Sequence, residues 1–554
     1  MLQAERRAQE VRALSRILVL GGYGGFGARL TRRLIARGHT VLVAGRSLDK
    51  ARAFCAGLER AEPVVADRNG ELALVLAQTA PDLMIDAAGP FQDSDCRVPR
   101  ACALAKTPYL DLADARAFVT GIATLDAEAF NANVAVIAGA SSVPALSGAA
   151  ARRLADGLEH VFSVEIAISA SKRATLGASV VLAILSYLGR PIKLWRGRRI
   201  DEGFGWQELR RETFALADGT TLAGRWLALA DVPDLDLLPE SLAGRPSVVF
   251  RAGTESALQT VGLWLLSWPV RWFGLPVKRL APLLLSLQGL TQNFSSDRSG
   301  MSVRLKGEVG GQRVERQWTL IASKGDGPEI PTLAAVILAE AILAGKVAAG
   351  ARPAHELLDL EEFEPLFSTL SLRHEVAERE LPASLYARAM GERFRALPEA
   401  VRRMHEVCGD SGAVGEATVT RDKARLARLI AGVMGFPDAG SCSLHVSFAE
   451  RDGIERWTRR FGDHSFSSHL SERDGHAVER FGPLRFVFDL ASCPKGLEMH
   501  LRGWSIVGLP LPLFLAPRGV AREWEEDGRF HFDVPIALPL IGLIVHYTGW
   551  LEPK

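Results

Sequence analysis

The sequence predicts an α/β protein in three parts: a doubly wound parallel sheet, then an α+β domain with an antiparallel sheet, then a β-rich C-terminal domain. Over the first third of the chain, six short apolar segments alternate with helical segments, which is the pattern of a parallel sheet covered by helices. A glycine-rich turn directly follows the first of these segments. Beyond about residue 440, short alternating runs separated by turn residues indicate strands.

The elements of the first part are predicted from local patterns. Residues 28–37 are expected to form a helix, because Leu30 and Leu34 share one face and Gly38 ends it. A second helix is expected over 48–58. The strands are expected at 16–20, 41–44, 63–66, 83–88, 109–112 and 134–138.

The turn after the first strand has the sequence GGYGGFG over residues 21–27. Gly22, Gly24 and Gly27 fit the pattern G-x-G-x-x-G between a strand and a helix, where glycines allow a tight turn, close approach of a diphosphate, and close packing of helix on strand. The turn therefore predicts a Rossmann dinucleotide-binding site; the alternative is a glycine-rich turn without a ligand. The predicted cofactor-binding residues here are Gly22, Tyr23, Gly24, Gly25, Phe26 and Gly27.

The end of the second strand predicts which dinucleotide binds. An NAD enzyme usually has Asp or Glu at this position for the ribose 2′-hydroxyl, whereas this chain has Arg46 and Ser47. A guanidinium and a hydroxyl suit the 2′-phosphate of NADP(H). The alternative is that Arg46 is a solvated loop residue.

Two further strand ends complete the predicted cofactor-binding set. Asp67 follows the third strand, and Ala88, Gly89 and Pro90 follow the fourth. Small residues at a strand end let a cofactor approach the backbone, although a simple tight turn would need the same residues.

Several motifs resemble those of saccharopine-dehydrogenase-like oxidoreductases. These are GGYGGFG, VAGRS over 43–47, DAAGPFQ over 86–92 and YLDLAD over 109–114. Residues 297–301 and 318–331 resemble the second domain of the same family. The C-terminal segments RFGPL, GLPLP and YTGWL are similar to a bacterial domain of unknown function that is found fused behind such modules.

The resemblance implies an NADP(H)-dependent oxidoreductase and covers nearly the whole chain. It implies a Rossmann domain over 1–146, an α+β substrate or dimerisation domain over 147–374, and a helical linker with a β-rich domain over 375–554. No set of residues for binding a dicarboxylic amino acid matches, so saccharopine is not the expected substrate.

Tyr109 and Asp111 are the candidate catalytic residues, because they lie at the end of the fifth strand, where a doubly wound sheet opens its cleft. Tyr109 could donate a proton and Asp111 could orient a substrate or a ribose. The alternative is that Tyr109 packs and Asp111 caps the following helix. None of the five tyrosines has a Lys four residues later, which excludes the short-chain dehydrogenase mechanism.

The later parts are predicted more coarsely. Residues 160–170 alternate like a strand, and 301–305 with 314–322 resemble a hairpin across Gly310 and Gly311. Residues 332–343 are expected to be a helix and 375–405 a charged helical segment. The C-terminal strands are expected at 444–448, 455–461, 484–490, 498–504 and 529–536.

Composition excludes several classes of function. Lys and Arg total 66 against 64 for Asp and Glu, which is unlike the clustered cations of a nucleic-acid-binding protein. The six cysteines form no CxxC pair, which favours reduced thiols in a cytoplasmic protein. The histidines lack ligand spacing, so no metal is expected. The first fifteen residues show no secretory signal.

Trp264, Trp268 and Trp272 recur every four residues and would line one helical face beside cations. Such a face suits peripheral contact with a membrane or a lipophilic ligand, and the alternative is a core or a homodimer helix. The cations are Arg271, Lys278 and Arg279.

The sequence thus predicts hydride transfer to a C=O, C=N or C=C bond of a small, lipophilic molecule. The alternative is a non-catalytic NADP(H)-binding sensor or scaffold whose C-terminal domain binds a partner or an apolar ligand.

Overall fold

The computed structural model describes residues 15–171, 178–282 and 297–553. Its strands form three large sheets that follow one another along the chain, and a two-stranded hairpin. The predicted fold class is confirmed: a parallel Rossmann-type sheet, a second sheet with helices, and an antiparallel C-terminal sheet.

The first sheet is parallel, and its central strands are buried between helices, whereas the edge strand Ala61–Val65 is partly exposed. Its order is β3-β2-β1-β4-β5-β6, and Gly350–Pro353 adds a seventh strand beside β6. The strands are β1 (Arg16–Leu20), β2 (Thr40–Gly45), β3 (Ala61–Val65), β4 (Leu83–Asp86), β5 (Tyr109–Asp111) and β6 (Ala135–Ala138). The helices are α1 (Gly25–Ala36), α2 (Leu48–Cys55), α3 (Leu72–Thr79), α4 (Arg97–Leu104), α5 (Arg116–Gly121), α6 (Asp126–Ala132) and α7 (Ser147–Ala155).

The second sheet has the order β10-β11-β12-β7-β13-β14-β16, and β8 pairs separately with β9. All pairs of the larger sheet are antiparallel except β7 with β12, so the expected antiparallel sheet contains one parallel pair. The strands are β7 (His160–Ala170), β8 (Pro191–Arg196), β9 (Arg199–Phe204), β10 (Arg210–Ala215), β11 (Thr221–Leu229), β12 (Ser247–Thr254), β13 (Ser299–Val309), β14 (Gln312–Ala322), β15 (Gly350–Pro353, of the first sheet) and β16 (Leu372–Glu380). The helices are α8 (Ala178–Tyr187), α9 (Asp234–Ser241), α10 (Ala257–Phe273), α11 (Leu333–Leu343) and α12 (Glu364–Phe367).

The expectation of a helical segment over 375–405 is wrong in its first part. β16 occupies Leu372–Glu380 and pairs with β14 at the edge of the second sheet. Its charged residues suit a sheet edge, where side chains face water and ion pairs fix the strand. Arg379, for example, donates to Glu315 at 2.9 Å. Helices begin only at Leu385.

The third sheet closes into an antiparallel barrel of ten strands, because β22 pairs with β21 on one side and with β23 on the other. β24 adds to the free edge of β23. The strands are β17 (Asp410–Thr420), β18 (Gly440–Arg451), β19 (Ile454–Phe461), β20 (His464–Arg473), β21 (His476–Phe481), β22 (Leu484–Cys493), β23 (Gly496–Ile506), β24 (Leu509–Leu511), β25 (Ala521–Glu526), β26 (Arg529–Leu538) and β27 (Gly542–Pro553). The helices are α13 (Leu385–Met390), α14 (Glu399–His405) and α15 (Arg425–Val433).

Ion pairs join the three parts. Arg33 of α1 contacts Glu329 at 2.8 Å, between the first and second parts. Between the second sheet and the barrel, Lys306 contacts Glu450 at 2.7 Å, and Arg451 contacts Glu212 at 3.0 Å. Polar contacts of this kind fix the orientation of packed domains more than they contribute stability.

The predicted tryptophan face lies on α10. The rings of Trp264 and Trp268 are 6.3 Å apart, and those of Trp268 and Trp272 are 5.4 Å apart. Arg271 stacks on Phe204 of the second part at 3.5 Å, so part of this face is packed rather than free. Residues 280–296 carry no charged side chain, and all but the first three of them lie outside the described residues. Within the described ranges, no helix combines the length and apolarity needed to cross a lipid bilayer.

Candidate functional site

The glycine loop between β1 and α1 is built by close backbone contacts. A Cβ on Gly27 would lie 2.1 Å from the carbonyl oxygen of Gly21, and one on Gly22 would lie 2.9 Å from that of Val19. Neither contact can be relieved by a side-chain movement. Gly21 itself has a positive φ of 77°, which favours glycine. The loop therefore requires glycine at these three positions, whereas Gly25 meets nothing within 4 Å.

Helix α1 begins at Gly25, three residues before its predicted start. Gly24 is its N-cap, no side chain caps it, and its first turn holds no acidic residue. The first N–H groups of an α-helix have no intrahelical partner and carry the positive end of the helix dipole. These amides can bind the oxygens of a diphosphate.

A cleft of about 520 Å³ lies beside this loop, where the strand order reverses between β1 and β4. In doubly wound sheets ligands bind at this switch point, outside the carboxyl ends of the strands. The predicted cofactor-binding residues that line the cleft are Tyr23, Gly24, Arg46, Asp67, Ala88, Gly89 and Pro90. The others do not line it: Gly22 lies in the packed loop, Gly25, Phe26 and Gly27 lie in the first turn of α1, and Ser47 lies just before α2.

Tyr23 and Ser47 organise the end of β2. The hydroxyl of Tyr23 accepts a hydrogen bond from the backbone N–H of Ser47 at 3.1 Å, and its ring covers Gly45. Ser47 is the N-cap of α2, and its hydroxyl accepts from the N–H of Lys50 at 3.4 Å. Arg46 is exposed at the cleft and has no hydrogen bond or ion pair with any other described residue. The guanidinium is thus the free donor at this strand end.

Arg68 is a cleft residue that the sequence did not single out. Its guanidinium forms an ion pair with the fully buried Asp86 at 3.1 Å and donates to Ser94 at 2.7 Å. It also lies over the ring of Phe91 at 4.7 Å. Burial raises the pKa of Asp86, and Arg68 opposes this rise. The only signal in the sequence is that a cation directly follows Asp67. The partners of Arg68 come from a later segment of the chain, so the sequence could not show their contact with it.

Tyr109 and Asp111 lie beneath the cleft rather than in it. Both side chains are fully buried. Asp111 accepts hydrogen bonds from the backbone N–H groups of Gly139 at 2.7 Å and Ala113 at 3.0 Å, so it joins the ends of β5 and β6. Burial raises the pKa of Asp111 to about 7, although these N–H groups oppose the rise. The geometry thus favours a role in packing for Tyr109 and a role in fixing turns for Asp111. Asp111 does not cap the following helix, because its hydrogen bonds go to residues outside that helix.

Helix α8 of the second part reaches the first domain at the cleft. The hydroxyl of Ser179 donates to the carbonyl of Gly89 at 3.0 Å. Further along this helix, burial raises the pKa of Tyr187, and the carboxylates of Asp114 and Asp231 raise it further. Tyr187 therefore keeps its proton at neutral pH. Tyr187, which the sequence did not single out, lies outside the lining of the cleft but within electrostatic range of Asp114, just after β5.

No metal centre is evident in the described part of the chain, where no three His, Cys, Asp or Glu side chains are arranged to hold an ion. His464 lies 3.8 Å from Asp438 and His476 lies 3.5 Å from Asp489, as separate pairs.

Comparison with protein families identifies the C-terminal region. Residues 397–551 match the model of the family described as "Domain of unknown function (DUF4166)". The matched residues comprise α14 and nearly all of the barrel. This confirms the predicted C-terminal domain of unknown function. No curated protein matches the chain by sequence.

Solved structures match the rest of the chain. An apo saccharopine dehydrogenase (L-Glu forming) from Saccharomyces cerevisiae is 14% identical, with 66% of this chain and 100% of that chain covered and a TM-score of 0.45. An amine dehydrogenase from Mycobacterium smegmatis is 14% identical, with 62% and 95% covered and a TM-score of 0.33. The Bordetella bronchiseptica enzyme WbmG in complex with NAD is 20% identical, with 18% and 36% covered and a TM-score of 0.16.

Proposed function

We propose that this protein is an NADP(H)-dependent oxidoreductase related to the saccharopine-dehydrogenase-like enzymes. Its reaction is hydride transfer to a C=O, C=N or C=C bond of a small, lipophilic molecule. The observation that carries the proposal is the uncapped start of α1 beside a cleft at the switch point of a doubly wound sheet.

The loop fits a diphosphate in two respects. Backbone contacts at Gly22 and Gly27 leave no room for side chains, so the loop can approach a ligand with its amides alone. The first turn of α1 lacks an acidic residue that would repel phosphate. The amides of this turn would hold the diphosphate of the dinucleotide.

The end of β2 fits the phosphorylated ribose. Arg46 extends into the cleft without a carboxylate partner among the described residues, so binding a phosphate would break no ion pair. Ser47 contributes less than expected, since its hydroxyl already caps α2. Selection of NADP(H) over NAD(H) would therefore depend on the guanidinium.

NADPH, when bound, supplies the hydride. The chain must then hold the substrate and provide a proton. Tyr187 would hold a proton at its phenolic oxygen, within electrostatic range of Asp114, which follows β5. Ser179 fixes α8 to the turn after β4 and would keep Tyr187 in position.

One observation favours the alternative of a binding protein without catalysis. The two acid–base candidates of the first domain, Tyr109 and Asp111, are sealed beneath the cleft and cannot touch a ligand in it. If Tyr187 has no role either, the cleft would bind the dinucleotide as a sensor, and the barrel would bind a partner or an apolar ligand.

The test is calorimetric titration of the whole chain with NADPH and NADH, followed by a reductase screen over carbonyl and imine compounds. We expect NADPH to bind about tenfold or more tightly than NADH. Binding of neither would overturn the proposal, and binding without turnover of any compound would support the sensor.

Once a substrate is known, Tyr187→Phe separates the two roles. We expect kcat to fall about a hundredfold because the proton donor is lost, while the Kd of NADPH stays within about twofold. Tyr386→Phe, at a fully buried tyrosine in the barrel domain, is the matched control. Equal effects of the two substitutions would remove Tyr187 from the mechanism.

A further inference from the structure

One end of the barrel, here called the far rim, carries an unusual surface. Its hairpin and loop segments are 421–439, 462–463, 482–485, 506–519 and 538–542, all at the same end because successive strands alternate in direction. Ten of the 22 large apolar side chains that are exposed in the described structure belong to this rim. Isolated exposed apolar residues are normal on protein surfaces, but such a concentration indicates an interaction site.

Part of the rim is an amphipathic helix. Helix α15 buries the small residues Ala427 and Ala431 and packs against β27. Its exposed side carries Leu426, Leu429 and Val433, which share one face at helical spacing. These three apolar side chains thus point away from the barrel, whereas Ile430 packs against its core.

The rest of the apolar surface comes from turns. Phe514 is 71% exposed, at the centre of a short helical turn, and Leu540 is fully exposed between β26 and β27. The other exposed members of this group are Ile506, Val507, Leu509, Leu513 and Leu515.

These segments are neighbours in space. A Cβ on Gly542 would lie 3.1 Å from the carboxylate of Asp422, so the β26–β27 turn adjoins the segment that leads into α15. On the other side, Arg518 and Ala537 form a β-bridge through their backbones, which joins the segment of Phe514 to the same hairpin. The segments that carry most of the exposed apolar side chains therefore adjoin one another at the rim.

The rim is also cationic. Its segments contain six Lys and Arg residues and three Asp residues. Arg421 is paired with Asp438 at 2.7 Å. The five other cations have no ion pair with any described residue, and no hydrogen bond or ion pair of the described structure joins the rim to the first two parts of the chain. These cations are Lys423, Arg425, Arg428, Arg485 and Arg518.

We propose that the far rim docks on the surface of a lipid bilayer that contains anionic lipids. The apolar side chains would enter the boundary between headgroups and acyl chains, and the unpaired cations would contact lipid phosphates. Charge complementarity favours a bilayer over a second copy of this chain, because two copies of one cationic rim would repel each other. Several separate turns, rather than one groove, also suit a soft and deformable phase.

The test is flotation of the whole chain with vesicles of phosphatidylcholine alone, or of phosphatidylcholine mixed with phosphatidylglycerol. We expect binding to the anionic vesicles, weakened by added salt, and little binding to the neutral ones. The substitutions Leu429→Glu and Phe514→Glu together should reduce the bound fraction about tenfold or more. The matched control is Leu74→Glu with Phe130→Glu, an exposed Leu and Phe of the first domain, which should change binding by less than about twofold.

A second pair of variants tests the charges. Arg425→Glu with Arg428→Glu should weaken binding to anionic vesicles, whereas Lys50→Glu with Arg52→Glu on the exposed side of α2 should not. Four results would overturn the proposal: no binding to either vesicle, equal losses for rim and control variants, binding that ignores lipid charge, or a dimer in light scattering that the rim substitutions convert to a monomer. Thermal melts check that every variant is folded.

Discussion

The Rossmann domain and the barrel both bury ionisable groups, but only the Rossmann domain places an open cleft above them. In the first domain, the cleft is lined by the glycine loop and by charged side chains of both signs, among them Arg46 and Asp67. In the barrel, a few ionisable groups lie within the closed core: His405 contacts Glu523 at 2.6 Å, and Glu455 accepts from the indole of Trp457 at 2.9 Å. The first arrangement suits a ligand that enters from water, whereas the second fixes a closed interior and links its stability to pH.

The barrel core shows how such groups are accommodated. The ring of His405 stacks on Tyr386 at 3.6 Å, and Phe530 meets it edge-on at 6.1 Å. Both His405 and Tyr386 come from helices that precede the barrel strands, so α13 and α14 pack against the barrel interior. Aromatic rings thus enclose these polar groups on several sides.

The largest effect is expected for Gly27→Val in the first domain. Any Cβ there meets the carbonyl of Gly21 at 2.1 Å, so the loop must open and its amides lose their common direction. We expect NADPH affinity, measured by calorimetry, to fall roughly a thousandfold, about 4 kcal/mol.

Gly25→Ala is the control for this prediction, since a Cβ at Gly25 meets nothing within 4 Å. It should leave NADPH affinity within about threefold. Similar losses of affinity in both variants would show that the close contact at Gly27 is not the cause of the loss.

The next effect tests the barrel. Burial raises the pKa of Glu455 from 4.5 to about 7, and the hydrogen bond from Trp457 opposes the rise. The folded chain then binds this proton more tightly than the unfolded chain does. The proton therefore adds to the free energy of unfolding below about pH 4.5, and this gain is lost as the pH rises to about 7. Glu455→Gln should therefore stabilise the barrel by about 3 kcal/mol at pH 8 and have little effect near pH 4.5.

Thermal melts over this pH range measure the effect. Glu526→Gln is a matched control, because Glu526 also accepts from an indole two residues away, at 3.0 Å, but is exposed. It should change stability by less than about 0.5 kcal/mol at either pH. A Glu455→Gln variant with the wild-type pH dependence would show that its carboxyl is hydrated.

The smallest of the three effects concerns Arg46. Arg46→Ala should weaken NADPH binding about thirtyfold, about 2 kcal/mol, because a charge-assisted contact to the 2′-phosphate is lost. NADH binding should change by less than about twofold, since that ribose carries no phosphate. Arg52→Ala, at another exposed arginine, controls for net charge. Equal losses for both dinucleotides would remove the NADP assignment.

The elements of the fold were predictable to different degrees. The hairpin of β13 and β14 and the strand β7 lie where their alternation placed them, because period-two patterns are local. The error at β16 arose because its charged residues resemble an exposed helix, and only pairing with β14 decides between the two. The alternating runs after residue 440 predicted strands but not closure, which depends on β22 meeting β23.

The sequence by itself determined the glycine loop, because its steric requirements act within seven consecutive residues and their neighbouring strand. It also placed a cation, Arg46, directly after the second strand, because this position depends only on where that strand ends. The tertiary structure decided that Tyr109 and Asp111 are buried, that Arg68 meets Asp86, that Tyr187 lies within electrostatic range of Asp114, and that the apolar turns share one rim. Each of these depends on contacts between residues far apart in the chain, and no local pattern specifies such distances.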